Sequence, residues 1–195
     1  MRAFLGMAAL LIAANVSAES ELKTEEVRNK WLVEMTSTTY KLEEPLAAEA
    51  IINKARNCMV STLRNDPVVA RGGTSYFGTN QDKESNVQPA SAFFVVDDAA
   101  NGIISANHNV DYRWLAVAQN VKSVVTLQAK EGRFRIKHSG ISSLQKSTGS
   151  ITNNGYGKVG TRRGLGGKPA IKKLDGVTDK LAACVQAING GQEDW

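Results

Sequence analysis

Histidine and cysteine are scarce in this 195-residue chain, which contains two of each. It has no Cys-x-x-Cys motif and no Cys/His cluster, so the ligand sets typical of zinc sites and the dithiol of thioredoxin-like proteins are missing. The Gly-x-Ser-x-Gly motif found in many serine hydrolases is missing too. We therefore expect no metal, no cofactor and no catalytic centre of these kinds.

The few residues suited to acid–base chemistry stand apart from one another. His108 and His138 belong to different predicted strands without a ligand pattern beside them, so we expect ordinary polar or half-buried positions. Asp97 and Asp98 open a predicted turn, where capping is the expected role.

A glycine-rich segment, GTRRGLGGKP at 160–169, falls short of a phosphate-binding loop. That motif requires glycine where Arg162 stands and serine or threonine where Pro169 stands. Pro169 also lacks the backbone N–H that a phosphate cradle uses. The sequence therefore does not indicate a nucleotide-binding loop.

Beyond residue 16 the sequence lacks an apolar run long enough to span a bilayer, which takes ~17–25 residues. The chain begins with a positive residue, Arg2, an apolar stretch at 3–16 and a small-x-small pattern ending at Ala18. This order predicts a signal peptide over 1–18, with an uncleaved anchor helix as the alternative. We expect a periplasmic or secreted protein with a single domain over 19–195.

The apolar periodicity predicts two helices and five strands. Residues 43–63 and 168–191 show the three-to-four-residue spacing of amphipathic helices, and Pro45 suits the first turn of the earlier one. Two polar or glycine-rich segments, at about 64–90 and 145–168, are predicted to be long loops. The predicted strands cover 30–40, 91–98, 102–110, 120–130 and 133–141.

This order, β-α-β-β-β-β-α, predicts an α+β fold. Strands that follow one another through short turns pair antiparallel. The apolar face of such a sheet must be covered, and the two predicted helices are the available cover. We expect a bent antiparallel sheet with both helices packed on one face.

Two stretches, FFVVDDAANGII and VVTLQAKEGRFRIKHSGI, carry a resemblance that covers roughly 30–189. The chain resembles a family of exported bacterial proteins of unknown function with a TATA-binding-protein-like (TBP-like) fold, in which an acidic-Gly turn precedes an Arg-aromatic-Arg strand. Residues 131–135, EGRFR, match that signature. The resemblance implies a fold and an export route but no activity. The DNA binding of the fold's namesake does not carry over, so we expect no nucleic-acid partner.

The two cysteines stand on the predicted helices. Cys58 precedes Met59 on the apolar stripe of the first helix, and Cys184 precedes Val185 on that of the second. Exported proteins meet an oxidising compartment, which favours disulfides. We predict a Cys58–Cys184 disulfide that joins the helices; the alternative is two separate buried thiols.

Basic residues are concentrated in two segments. In the strand at 133–138, Arg133, Arg135 and Lys137 alternate with Phe134, Ile136 and His138, so one side of this strand is wholly basic. The predicted loop at 145–168 has five basic residues and no acidic one: Lys146, Lys158, Arg162, Arg163 and Lys168. Either set binds an anionic partner or is a solvated surface, and the sequence leaves both readings open.

These observations favour a non-enzymatic exported module that binds a partner protein or an anionic envelope component. The candidate binding residues are Lys158, Arg162, Arg163 and Lys168 of the loop, with Arg133, Arg135 and Lys137 of the strand. The alternative is a small envelope hydrolase whose site is built from the two long loops. A deep pocket with converging titratable groups would favour the enzyme.

Cleavage of the signal peptide provides a first prediction. Because signal peptidase recognises the small residues ending at Ala18, the exported protein should begin at Glu19. Intact-mass analysis of protein recovered from the exported fraction checks this. A mass that retains residues 1–18 would contradict it.

Overall fold

The computed structural model describes residues 18–27, 30–72, 83–88, 91–148, 153–160 and 167–187. Its helices are α1 (Ala48–Thr62) and α2 (Gly167–Gln186). Its strands are β1 (Ala18–Val27), β2 (Lys30–Lys41), β3 (Val68–Gly72), β4 (Lys83–Gln88), β5 (Phe94–Asp98), β6 (Ile103–Trp114), β7 (Val117–Lys130), β8 (Arg133–Gln145) and β9 (Gly157–Lys158).

The main sheet has the strand order β1-β2-β8-β7-β6-β5, and β9 adds to it by pairing with β8. Every pairing in this sheet is antiparallel. The short connections between consecutive strands from β5 to β8 explain the pairings among these four strands, because a tight turn returns the chain beside the strand it has left. The predicted α+β class, with a large antiparallel sheet and two helices, is confirmed.

Both helices pack on the same face of the sheet, which we call the inner face. Phe134 and Ile136 of β8 are fully buried there, and Tyr40 of β2 stacks on Phe134 with ring centroids 5.2 Å apart. The opposite surface is the outer face. The residues that the helices contribute to this core are Ile51, Ile52, Ala55, Cys58, Met59, Val177, Leu181, Ala182 and Val185.

A bulge divides β8 into two halves that present different residues to the outer face. Val124 pairs with Ser139, but Lys122 pairs with Ser142, so one extra residue is inserted between them. Gly140 lies in this insertion with φ 63°, a conformation that favours glycine. Beyond the bulge, Leu144 points outward and packs against β3, so the outer face is covered at this end.

The segment at 64–90 was predicted to be a long loop, and that prediction is wrong at 68–72 and 83–88, where the structure has strands; residues 73–82 and 89–90 lie outside the described part of the chain. It contains β3 and β4, which pair antiparallel as a separate two-stranded sheet. Val68 and Ala70 alternate with exposed residues and are buried against Leu144. A run of three apolar residues, VVA at 68–70, among polar and glycine residues is too weak a pattern to identify a strand before its packing partner is known.

The segment at 145–168 is also more ordered than predicted. β9 pairs with β8, Val159 is fully buried, and the N–H of Val33 donates a hydrogen bond to the Val159 carbonyl. α2 begins directly against this segment, because a Cβ on Gly167 would stand 1.6 Å from the carbonyl oxygen of Gly160. Residues 149–152 and 161–166 lie outside the described part of the chain.

The presence of β1 and the start of α1 also differ from prediction. β1 was not predicted, because its alternating charged residues indicate no apolar face. α1 begins at Ala48 rather than at 43, so Pro45 precedes the helix. The residues before it are held by the β7–β8 turn, since Leu42 donates to the Gly132 carbonyl and Gly132 donates to the Leu46 carbonyl.

The predicted disulfide is present and joins the two helices. The Cys58 and Cys184 sulfurs are 2.05 Å apart and their Cα atoms 5.8 Å apart. Cys58 of α1 is buried in the core, and Cys184 of α2 is partly buried. The bridge closes a loop with a sequence separation of 126 residues, so it constrains the unfolded chain strongly.

Removing the bridge should destabilise the protein through that lost constraint. We expect the double variant Cys58→Ala/Cys184→Ala to lower the free energy of unfolding by about 2–5 kcal/mol. Urea denaturation under non-reducing conditions measures the change. Reduction of the parent protein should lower its midpoint comparably, and an unchanged midpoint in both experiments would contradict the prediction.

Candidate functional site

The exposed half of the outer face presents a row of cations on β8. Arg133 and Arg135 are exposed and Lys137 is partly exposed, while Phe134 and Ile136 between them are buried on the inner face. Arg133 is paired with Lys41 of β2 on one side and with Lys130 of β7 on the other. Paired residues point to the same face, so Lys41, Lys130, Arg133, Arg135 and Lys137 form one surface, which we call the basic face.

The basic face holds like charges side by side. Lys41, Arg133 and Lys130 stand opposite one another on three adjacent strands, an arrangement that destabilises a sheet. The ion pairs identified among the described residues lie elsewhere: Lys23–Glu34, Arg56–Asp97 and Lys146–Asp111. The basic face therefore has uncompensated positive charge within the described part of the chain.

A shallow depression of about 250 Å³ lies on this surface. Thr39 and Gln128 flank Arg135 from β2 and β7, and Arg135 Nη2 donates a 2.6 Å hydrogen bond to Gln128 Oε1. The depression thus combines guanidinium and ammonium groups with hydroxyl and amide groups on a rigid sheet. This set suits carboxylate, sulfate or phosphate groups, which arginine binds through two parallel hydrogen bonds.

The structure separates the residues of the predicted basic loop. Lys158 of β9 is paired with Ser142, which also faces outward, so Lys158 extends the same side of the sheet as the basic face. Lys168 is exposed in the first turn of α2. Lys146 forms a 2.8 Å ion pair with Asp111. Arg162 and Arg163 lie outside the described residues.

A second concavity, of about 290 Å³, lies beside β3 and was not predicted. A polar network lines it: Asn120 donates to Asp111 at 2.7 Å, and the Tyr156 hydroxyl donates to Asn120 at 2.6 Å. Burial would raise the pKa of Asp111, but hydrogen bonds from Asn120 and Lys146 outweigh it and lower this pKa. These groups are paired with one another, so the network holds Lys146 and Tyr156 on the sheet.

Both histidines are buried, which corrects the prediction of ordinary polar or half-buried positions. His138 Nδ1 lies 3.0 Å from Ser123 Oγ, and its Nε2 lies 2.9 Å from Thr178 Oγ1 on α2. His108 Nδ1 contacts the backbone of Arg64, and its Nε2 is buried without a partner among the described atoms. Their strands are central in the sheet, so side chains on the inner face lie under the helices.

Burial keeps both imidazoles neutral. Desolvation lowers the pKa of His108 to about 4, and desolvation with the neighbouring His108 lowers the pKa of His138 to about 3. The Ser123–His138 pair resembles a nucleophile and its base, but both side chains are almost completely inaccessible to solvent. This pair is therefore a structural polar contact between the sheet and α2.

The turn carboxylates also have structural partners. Asp97 accepts two hydrogen bonds from Arg56 of α1, at 2.7 and 2.8 Å, which lower its pKa. Asp98 accepts hydrogen bonds from the backbone and side chain of Asn101, which lower its pKa as well. Within the described residues no group of three or more His, Cys, Asp or Glu side chains is arranged to hold a metal ion.

No protein-family model matches this chain, and no curated protein matches it significantly. A solved structure of a TBP-like protein from Parabacteroides distasonis superposes on it with a TM-score of 0.51 at 11% identity, covering 78% of this chain and 92% of that one. The fold is TBP-like. A DUF4468 family protein from Bacteroides ovatus also matches, with a TM-score of 0.49, 15% identity and coverage of 86% and 93%.

The TBP-like fold confirms the resemblance seen in the sequence, and at these identities the comparison establishes the fold alone. In this chain, the helices cover the inner face and leave the cations of β8 on the outer face. Neither helix among the described residues is long and apolar enough to cross a membrane.

The buried histidines make stability depend on pH. Both folded-state pKa values lie below the ordinary value of 6.5, so the unfolded chain binds more protons, and stability falls as the pH drops from 6.5 towards 4. The slope should approach about 2.7 kcal/mol per pH unit for two groups. The variant His108→Gln/His138→Gln has no histidine. Its free energy of unfolding, measured with urea, should therefore be nearly constant between about pH 5 and 6.5, the interval just below the reference pKa of histidine. Parallel curves for the two proteins would refute the prediction.

Proposed function

We propose that this protein is an exported, non-enzymatic binding module that holds an anionic component of the cell envelope against its basic face. The observation that carries the proposal is the row of Lys41, Arg133 and Lys130 across three adjacent strands. These cations repel one another in the free protein, and a bound anion would replace that repulsion with attraction. The binding of an anion is therefore favoured by the sheet itself.

The surface is also preorganised. Arg133 and Arg135 stand on either side of Phe134, which is anchored in the core and stacked on Tyr40, so the backbone that positions both guanidinium groups is held firmly. Lys158 extends the positive charge along the same side of the sheet. A flat, positive surface of this kind suits a polymer or an extended acidic segment more than a small molecule.

Export is supported by the sequence and is compatible with the disulfide. The N-terminal residues have the order of a signal peptide, and a bridge such as Cys58–Cys184 persists in oxidising compartments. A basic face in the envelope would meet carboxylate- and phosphate-bearing polymers there. An acidic surface of a partner protein is the other ligand that the same charges would attract, and the experiment below separates the two.

A small envelope hydrolase with a site built from the two long segments is the alternative function. The crevice beside β3 is where those segments meet, but its Asp111 and Lys146 are paired with each other. The Ser123–His138 pair is buried and lacks access to a substrate. These features give less support to hydrolysis than the basic face gives to binding.

Neutralising the two arginines tests the proposal. The variant Arg133→Gln/Arg135→Gln should bind immobilised alginate, a polyanion that carries carboxylates, about fivefold more weakly, because each exposed charge pair contributes up to about 1 kcal/mol. The difference should shrink as salt is added. Its thermal stability should be unchanged or higher, since repulsion on the sheet is reduced.

Lys173→Gln/Lys180→Gln is the matched control. Both lysines are exposed on α2, on the other side of the sheet, and the variant loses the same net charge. We expect it to bind alginate like the parent. Equal binding of alginate by the two variants would show that the basic face is only a solvated surface. If the parent binds an acidic protein from the envelope but no polyanion, the ligand is a partner protein and the proposed polymer is wrong.

A further inference from the structure

The turn between β6 and β7 is built from residues that do not suit its conformation. Trp114 pairs with Val117, so Leu115 and Ala116 form a two-residue turn, and their φ angles are 47° and 66°. Positive φ at both central positions is the geometry of a type I′ hairpin turn, for which Asn-Gly is the preferred sequence. Leucine and alanine in this region are strained by their Cβ atoms.

The same turn exposes a large apolar side chain. Leu115 is 78% exposed, more than any other large hydrophobic residue in the described part of the chain. A strained backbone and an exposed leucine both disfavour the isolated folded protein. Their combination at one hairpin tip indicates that the leucine contacts another molecule.

Exposed cations lie at the same end of the molecule as this tip. Arg113 is exposed next to Trp114. Trp114 and Ile171 of α2 pack against the same buried cluster, so the first turns of α2 lie at the same end of the molecule as the tip. These turns present Lys168 and Lys172, both exposed. The tip therefore combines an apolar point, a partly buried tryptophan and positive charge.

We propose that the β6–β7 hairpin tip anchors the protein to an anionic lipid bilayer, with Leu115 inserted between the headgroups and Arg113, Lys168 and Lys172 in contact with lipid phosphates. Tryptophan and leucine favour the boundary between headgroups and acyl chains, and flanking cations are attracted to anionic lipids. The charge complementarity selects a membrane over an apolar pocket of a partner protein, since only the former calls for cations around the leucine.

This contact is separate from the basic face. The tip precedes the first residue of β7, whereas the basic face includes Lys130 at its last residue. Lys137, the member of the basic face nearest to the tip, pairs with Thr126, and nine residues of extended chain place it about 30 Å from the start of β7. The inference therefore does not depend on the proposed function.

The variant Leu115→Asn/Ala116→Gly tests the anchor. It supplies the preferred type I′ sequence, so we expect a higher melting temperature, together with at least about tenfold weaker co-sedimentation with vesicles of phosphatidylcholine and phosphatidylglycerol, because most of the leucine burial is lost. Opposite changes in stability and binding are the signature of an anchor. A variant that is unfolded is ruled out by the same melting curve.

Three further variants assign the effect. Val60→Thr removes another exposed apolar residue, 61% exposed on α1, and should bind vesicles like the parent. Lys168→Gln/Lys172→Gln should lose the preference for phosphatidylglycerol over pure phosphatidylcholine. In the Arg133→Gln/Arg135→Gln background, the change Leu115→Asn/Ala116→Gly should weaken vesicle binding by the same factor as in the parent, because the tip and the basic face are separate contacts. The proposal is overturned if the parent does not sediment with the anionic vesicles, or if the Asn-Gly variant sediments as the parent does.

Discussion

The burial of Phe134 and Ile136 is the constraint on which the rest of the structure depends. These side chains fill the space between β8 and the helices, next to Tyr40, Leu127 and the core residues of α1 and α2. Successive residues of a strand point to opposite faces, so burying them turns Arg133, Arg135 and Lys137 outward. The basic face is thus a direct consequence of the core, and it cannot be moved by a slip in register without exposing the core.

The two ends of the outer face differ in exposure and charge, and the bulge in β8 separates them. At the β7–β8 turn the outer face is positively charged, and no element among the described residues covers it. Beyond the bulge at Gly140, the outward-facing residue Leu144 is apolar, and β3 and Tyr156 pack over it. One inserted residue therefore separates an open surface from a second small core. The polar network of Asp111, Asn120 and Tyr156 then fixes the covering segment.

The helices are tied to the sheet by more than apolar contact. The disulfide joins α1 to α2, and Thr178 of α2 reaches His138 in the sheet. A buried neutral histidine with a hydroxyl at each ring nitrogen specifies how α2 lies on β8, because both nitrogens need a partner when water is excluded. This contact makes the packing of α2 on the sheet specific. Protonation of the histidine at low pH destabilises the same contact.

The amino-acid sequence by itself determined the strongly periodic parts of the protein: the stripes of α1 and α2, the alternation of β8 and hence the outward direction of its cations, and the cysteines of the bridge. Periodicity is a local property of the sequence, and a disulfide involves only one pair of residues, so both can be predicted without the tertiary structure. Tertiary structure alone decided the rest. The strand character of β3 depends on Leu144, the row of Lys41, Arg133 and Lys130 depends on pairing between distant segments, and the burial of both histidines depends on which strands become central. None of these is encoded within a short window of sequence, because each arises when residues far apart in the chain come to share one face.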